Sequence, residues 1–441
     1  MKTYLLGLAL TGIPLIASAQ NSAQQVYSLG RCIETGLSRN YSIRIVRNEQ
    51  LVANNNATPG AAGYLPTVDL SGGLNGNLNS ARNATDNGTD SQNNIASEAA
   101  NANLSLAWTI FDGFGIQAEY SRLKELRSMG ELSTRMSIED FIASVSADYY
   151  TLIRQMTRLA NLTSTLSLSR ERLRIVEERY SIGSMSRLDL QQAQVDFNAD
   201  SSALLNQLET LHRARTQLNR LMAFDNIDEA IALADSVIRP NAFLDEAELR
   251  KSTMENNVSI LMANKNISLS QLELKKAKSR SYPYLRLNAG YGYTATNPGP
   301  AANDLQQRFG LNYGLTVGIS IFDGFNRKRE QRNAAIAIQN RELRLEDLRL
   351  SLKTDMSNQW MAYENNLNLW ELEKSNRIAA QENYRIALER YRLGDLSGIQ
   401  LREAQNSLLN AEERQSIAEY ATKLCEISLL QLSGRIIDMV E

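Results

Sequence analysis

A single histidine, His212, serves 441 residues. One imidazole supports neither a histidine-rich metal site nor a Ser-His-Asp relay. Cysteine is almost as scarce. Cys32 and Cys425 are too few for a disulfide framework, show no C-x-x-C spacing, and carry no geometric reason to pair with each other. No Gly-rich loop of the P-loop or dinucleotide type occurs. After the first 19 residues no stretch reaches the roughly 18 consecutive apolar residues of a membrane-spanning helix. The formal charge of −2 speaks against general nucleic-acid binding. These absences remove the usual catalytic constellations, so the chain reads as a non-enzyme without cofactor or metal.

What is present begins with an export signal. Lys2 supplies a positive n-region, residues 4–16 form a short apolar stretch, and Ala17-Ser18-Ala19 is a small-residue cleavage site, which makes 1–19 the expected signal peptide. No cysteine stands at the expected mature start, Gln20, so there is no lipoprotein signal. An exported chain without a spanning helix is periplasmic, secreted or part of an outer-membrane β-barrel.

An internal repeat organises the rest. Ile110-Phe111-Asp112-Gly113-Phe114 recurs from Ile321, Tyr180-x-x-Gly183 recurs from Tyr391, and Leu190-x-x-Ala-Gln194 recurs from Leu401, each at an offset of 211. Upstream, Asn40 and Pro66 match Asn257 and Pro283 at an offset of 217. A constant offset means two copies of one unit with a shorter loop in the second. The units are expected at 20–222 and 243–441, joined by a linker over 223–242.

Each copy carries two stretches of period-two alternation, the mark of a strand with one apolar face. Strands are expected at about 66–79 and 101–111, and again at 284–294 and 309–322. Val68, Leu70, Leu74 and Leu78 alternate with Asp69, Ser71, Asn75 and Asn77. Phe309, Leu311, Tyr313, Leu315 and Val317 alternate with Gly310, Asn312, Gly314 and Thr316. The lengths suit tilted outer-membrane strands, with Trp108, Tyr293 and Tyr313 as candidate interfacial aromatics. A soluble hairpin on a core alternates in the same way. In a membrane, four strands cannot close a barrel and open edges are not tolerated, so several chains would have to share one.

After each Asp-Gly turn comes a proline-free helical run, expected over 115–182 and 326–393. Ile138, Ile142, Val145, Tyr149, Leu152, Met156 and Leu159 form one seam. Leu345, Leu348, Leu352, Met356, Trp360, Tyr363, Leu367 and Trp370 form the other. Helices of roughly 100 Å, at 1.5 Å per residue, must build an elongated bundle or wall. Each reverses near Gly183 or Gly394, where Gly permits a left-handed cap, and Ser186 and Ser397 are candidate N-caps of returning helices to about 221 and 433. Arg327-Lys328-Arg329 follows a strand end and fits either lipid headgroups or a solvated helix start.

The duplication, the strand pairs ending in Ile-Phe-Asp-Gly-Phe, and the Tyr-x-x-Gly tips followed by Leu-x-x-Ala-Gln resemble the TolC-like outer-membrane factor family over nearly the whole mature chain. The resemblance implies a mainly α fold with a membrane β-barrel portion. It implies a homotrimer with a 12-stranded barrel in outer-membrane lipid and a long periplasmic coiled-coil barrel, with the linker in an equatorial region. It implies no nucleic-acid partner. It further implies tips, here Ile182, Gly183, Ser184, Leu393, Gly394 and Asp395, that meet a periplasmic adaptor of an inner-membrane pump in the Gram-negative envelope. Asp189 and Tyr391 match an entrance lock and Glu403 a constriction acid. Gln400 stands where an acid would match Asp189, and Leu396 where a basic residue would be, so the lock departs from the family pattern. The same Asp189 and Glu403 also fit a solvated helix face. The implied role is an exit duct for small molecules. A duct for type I protein secretion and a periplasmic coiled-coil scaffold or adhesion protein remain alternatives.

Overall fold

The structure is a computed structural model that describes residues 26–85, 88–297 and 305–439. The expected signal segment, 1–19, lies outside the described residues. The chain order is β1 (Val26–Tyr27), α1 (Leu29–Arg39), α2 (Tyr41–Asn56), α3 (Pro59–Ala62), β2 (Thr67–Thr85), β3 (Gly88–Phe111), α4 (Gly115–Ser181) and α5 (Arg187–Leu221). It continues with β4 (Ala232–Leu233), α6 (Glu246–Asn256), α7 (Val258–Ser279), β5 (Tyr284–Asn297), β6 (Gln306–Gly318), α8 (Asn326–Leu393), α9 (Gly398–Leu432) and a final 3-10 turn, Ile436–Met439.

Strands β2, β3, β5 and β6 form one antiparallel sheet in that order. The register fixes the two faces. Leu70, Leu104, Tyr291 and Leu311 stand in one row across the sheet, and Val68, Leu106, Ala289 and Tyr313 in another. Between them runs a row of Asp69, Ser105, Gly290 and Asn312. Because side chains alternate along every strand, one face is mainly apolar over the half of the sheet nearest the helices and the other polar. The apolar face is bare: Leu74 is 87% and Tyr313 81% exposed. Five ladder boundaries differ from the expected spans, β5 running on to Asn297 and β6 starting at Gln306 among them. β2 and β3 pair all the way to Thr85 and Gly88, well past residues 79 and 101, and β6 ends at Gly318. The far part of the hairpin is Asn-, Ser- and Thr-rich, and backbone pairing does not depend on an apolar face.

The turn from each strand into its long helix uses one device twice. Asp112 Oδ1 accepts from the Ile116 amide at 3.0 Å, and Asp323 Oδ2 accepts from the Arg327 amide at 2.9 Å. Phe114 and Phe325 adopt left-handed φ of 73° and 64° and stack edge-on against Phe111 and Phe322. Gly113, at φ 74°, lies so close to Ser279 that a Cβ would sit 2.3 Å from its carbonyl oxygen. Glycine is therefore required there by space as well as by dihedral.

The seams of α4 and α8 bury as spaced: Ile142, Val145, Tyr149 and Leu152 in one, Leu345, Leu352, Met356 and Tyr363 in the other. Met156 is the exception and stays 43% exposed. The largest core sits mid-length, where α1, α2 and the linker wrap α4 and the ends of α5 and α9. Here the Tyr149 hydroxyl donates to Asp235 at 2.7 Å, and β1 pairs in parallel with β4. Matching asparagines close each repeat. Asn40 Nδ2 donates to Leu221 O at 3.0 Å and Asn257 Nδ2 to Leu432 O at 2.9 Å, tying the end of each returning helix to the start of α2 or α7 in the same repeat. Both cysteines are free, and burial pushes the Cys32 thiol up to about 12.

Candidate functional site at the helical tips

At the end far from the sheet, α4–α5 and α8–α9 each turn back through a short glycine tip. Gly183 (φ 75°) and Gly394 (φ 86°) end the long helices, and the following amides of Ser184 and Asp395 donate back to Arg179 O and Arg390 O. Two residues later the returning helix starts on a reciprocal cap. The Asp189 amide donates to Ser186 Oγ at 3.2 Å, and the Ser186 hydroxyl donates to Asp189 Oδ2 at 2.6 Å. Ser397 and Gln400 repeat this arrangement in the second copy. Asp189 and Gln400 thus share one local role, a role that either an acid or an amide fills.

Tyr391 is 1% exposed and packs on Ala387, Leu401 and Ala404, with Leu396 against the same cluster. The Arg179 guanidinium lies 5.6 Å from its ring centre. Burial pushes the Tyr391 phenol above its ordinary value, and its hydroxyl has no hydrogen-bond partner among the described residues. Asp189, one of the two lock candidates, bonds to Ser186 of its own helix cap. Asp189, Tyr391 and Glu403 nevertheless converge on one cleft of ≈ 480 Å³ between the two hairpins. Glu403 is exposed at its rim. The tip residues Ile182, Ser184, Leu393 and Asp395 are exposed, and nothing lies within 4 Å of a Cβ placed at Gly183 or Gly394.

At the tips Arg179 Nη2 donates to Arg392 O at 3.3 Å, and a larger buried polar link between the hairpins lies deeper. Arg402 on α9 donates from Nη1 and Nη2 to the two carboxylate oxygens of Asp200 on α5, at 2.6 and 2.8 Å. Asp200 also accepts from the Ser169 hydroxyl of α4, and Gln405 Nε2 donates to Ser169 Oγ at 3.1 Å and Thr165 O at 3.2 Å. Arg172 pairs with Asp196 beside it. Asp200, Ser169, Arg172 and Gln405 are all buried. The repeat offers a hint of this pair. Gln405 has a counterpart in Gln194, but Arg402 faces Gln191 in the first copy and Asp200 faces Ala411 in the second. A charge that breaks an otherwise matched repeat is a signal. Which charge meets which depends on helix rotation.

The fold and the tip geometry together admit comparison with known proteins. The chain matches the outer membrane efflux protein family over residues 32–223 and 249–435. It belongs to that family. No curated protein matches it in sequence. Among solved structures it is similar to the CmeC outer membrane channel of Campylobacter jejuni, at 14% identity and TM-score 0.75, over 92% of this chain and 86% of that one. It is similar to a membrane protein from Pseudomonas aeruginosa at 17% identity and TM-score 0.74, over 92% and 93% of the two chains. The outer membrane protein VceC from Vibrio cholerae is similar at 16% identity and TM-score 0.72, over 92% and 96%. The outer membrane efflux fold is an α-helical barrel joined to a β-barrel, and the four-stranded sheet is this chain's share of the latter. Members are outer-membrane channels, and no helix among the described residues is long and apolar enough to span a membrane.

Proposed function

We propose that the protein is the outer-membrane exit duct of a three-part export system, carrying small toxic molecules from a periplasmic adaptor and inner-membrane pump to the exterior. Three chains together form the channel. In support, β2 and β6 each leave one edge of the sheet without a partner, and open edges are not tolerated in lipid. Three chains of four strands give the twelve needed for closure. On α8, Ile336, Leu343 and Leu350 lie exposed at seven-residue steps, while α2 exposes Ile45 and Val52. These stripes suit helix packing between neighbouring copies.

The observation that carries the tripartite reading is at the tips. Ile182, Leu188, Leu393 and Ile399 are each more than 70% exposed, and they sit at the end of the helices farthest from the sheet. Exposed apolar residues clustered at one end mark a docking surface. In the assembled channel these tips reach through the periplasm, and the cleft lined by Asp189, Tyr391 and Glu403 narrows the entrance. A partner that favours a shifted arrangement of the hairpins opens it.

Photo-crosslinkers at Ser184 and Asp395 in living cells test this reading. Capture of an adaptor that serves a proton-driven pump is expected. An adaptor of an ATP-driven protein exporter would move the reading to secretion. Capture of none but copies of the chain or cell-surface proteins would favour a scaffold.

A further inference from the structure

The basic run after the second Asp-Gly-Phe turn has no part in conduction or docking at the tips. We propose that Lys328, Arg329 and Arg332 of α8, with Lys275 and Lys278 of the adjoining α7, form a collar that binds the phosphate headgroups of anionic phospholipid at the periplasmic face of the outer membrane. The proposal rests on the outer-membrane placement above.

Position comes first. α7 ends at Ser279, just before β5, and α8 begins at Asn326, just after β6. The cations therefore lie within about two helical turns of the sheet. Between them and the sheet stand two exposed aromatic pairs, Phe114 against Tyr282 with ring centres 6.1 Å apart and Phe322 against Phe325 at 5.3 Å. Aromatic rings with an adjacent band of Lys and Arg are the signature of a membrane boundary. Lys328 and Arg332, four residues apart, share one exposed face of α8, and Arg329 lies exposed beside them in the turn next to Phe325. Lys275 and Lys278, three residues apart, share an exposed face of the last turns of α7.

Charge balance comes second. Their neighbours are matched: Lys276 with Glu119 at 2.9 Å, Arg280 with Glu330 at 2.8 Å, and Arg327 with Asp323 at 3.0 Å. The five collar cations are exposed and have no carboxylate partner among the described residues. Lys275 and Lys278 sit at a helix C-terminus, where the dipole favours them. Lys328 and Arg329 sit in the first turn of α8, where the dipole opposes them, so an anion outside the chain would offset that cost.

The repeat comes third. The positions matching Lys328, Arg329 and Arg332 hold Gln117, Ala118 and Ser121, and those matching Lys275 and Lys278 hold Thr58 and Ala61. The first copy builds the same turn and long helix without one of these charges. The fold does not require them.

Native mass spectrometry of the detergent-purified oligomer, offered equal amounts of phosphatidylglycerol and phosphatidylcholine, reads the collar directly. Selective retention of phosphatidylglycerol is expected. Lys328→Gln, Arg329→Gln and Arg332→Gln together should lower that preference on the order of tenfold or more, since each cation at an anionic surface contributes about fivefold. The charge-keeping set Lys328→Arg, Arg329→Lys and Arg332→Lys should retain it. No preference in the unsubstituted protein, or an unchanged preference in the Gln set, overturns the collar. So does loss of the oligomer in the Gln set while the assembled remainder keeps its preference, because the cations would then face a neighbouring chain. Conductance in a planar bilayer separates the two readings: a conducting protein without lipid preference sinks the collar alone, and a non-conducting one sinks the duct.

Discussion

Arg402 closes on Asp200 with two parallel hydrogen bonds across 202 residues of sequence, joining the second returning helix to the first. A bidentate pair fixes orientation as well as distance. Asp200 is 7% exposed, so removing its partner leaves an uncompensated buried carboxylate at a cost of about 3–5 kcal/mol. Arg402→Gln is therefore expected to loosen the hairpins and raise single-channel conductance in a planar bilayer. Asp200→Asn should act in the same direction. Arg402→Leu with Asp200→Leu, which leaves no stranded charge, should fall nearer the unsubstituted protein. Equal conductance in all four would show that this link does not restrain the entrance.

Gly113 and Gly183 share a left-handed φ, 74° and 75°, and differ in their surroundings. A Cβ at Gly113 meets Ser279 O at 2.3 Å, whereas none of its neighbours would approach a Cβ at Gly183 within 4 Å. Gly183→Ala should cost about 1–2 kcal/mol, the dihedral penalty alone. Gly113→Ala should add about 1–3 kcal/mol for the forced contact. Thermal melts of the two variants order them, and a Gly113→Ala melt no lower than that of Gly183→Ala would contradict the crowding argument.

Glu119 is held by Arg122 one turn along α4 and links α4 to α7 through Lys276. The Arg122 hydrogen bond, with help from Lys276 and against burial, holds its carboxyl at about 2, below the ordinary 4.5. A depressed carboxylate stabilises the fold above its ordinary pKa and loses that contribution as pH falls through the folded value. Glu119→Gln should thus melt earlier than the unsubstituted protein at pH 6, and the gap should close between pH 4.5 and about 2. A gap that stayed constant down to pH 2 would assign the effect to packing.

Asn257 has two tasks. Its Oδ1 accepts from the Ser259 amide at 2.9 Å and its Nδ2 donates to Leu432 O at 2.9 Å. Asn257→Ala removes a cap and a bond to the end of α9, for about 2 kcal/mol in total. Asn40→Ala should give a similar loss, because Asn40 makes the matching pair of contacts with Ser42 and Leu221. Hydrogen exchange should show the Leu432 end fraying in the first variant and the Leu221 end in the second. Fraying of both ends in either variant would mean that the copies are not energetically separate.

Much of this architecture was legible from spacing. Period-two alternation determined which side of each strand is apolar, since a pleated backbone sends alternate residues to opposite faces whatever lies around it. Seams at steps of three and four determined the long helices, and the offset of 211 determined that there are two such units. Ser186, Ser397, Gly183 and Gly394 marked the reversals because caps and left-handed turns are local chemistry. Contacts between distant helices were not legible. The resemblance placed Asp189 and Tyr391 at an entrance lock without saying what each touches: the acid bonds to its own Ser186 three residues away, and the Tyr391 hydroxyl is buried with no hydrogen-bond partner among the described residues. A buried bidentate link between the hairpins is made by Arg402 and Asp200. Periodicity tells which residues share a helix face and not which face of a second helix they meet. That choice rests on the rotation and stagger of two rods roughly 50 Å long, set by the summed packing along α4, α5, α8 and α9, and only the tertiary structure decides it.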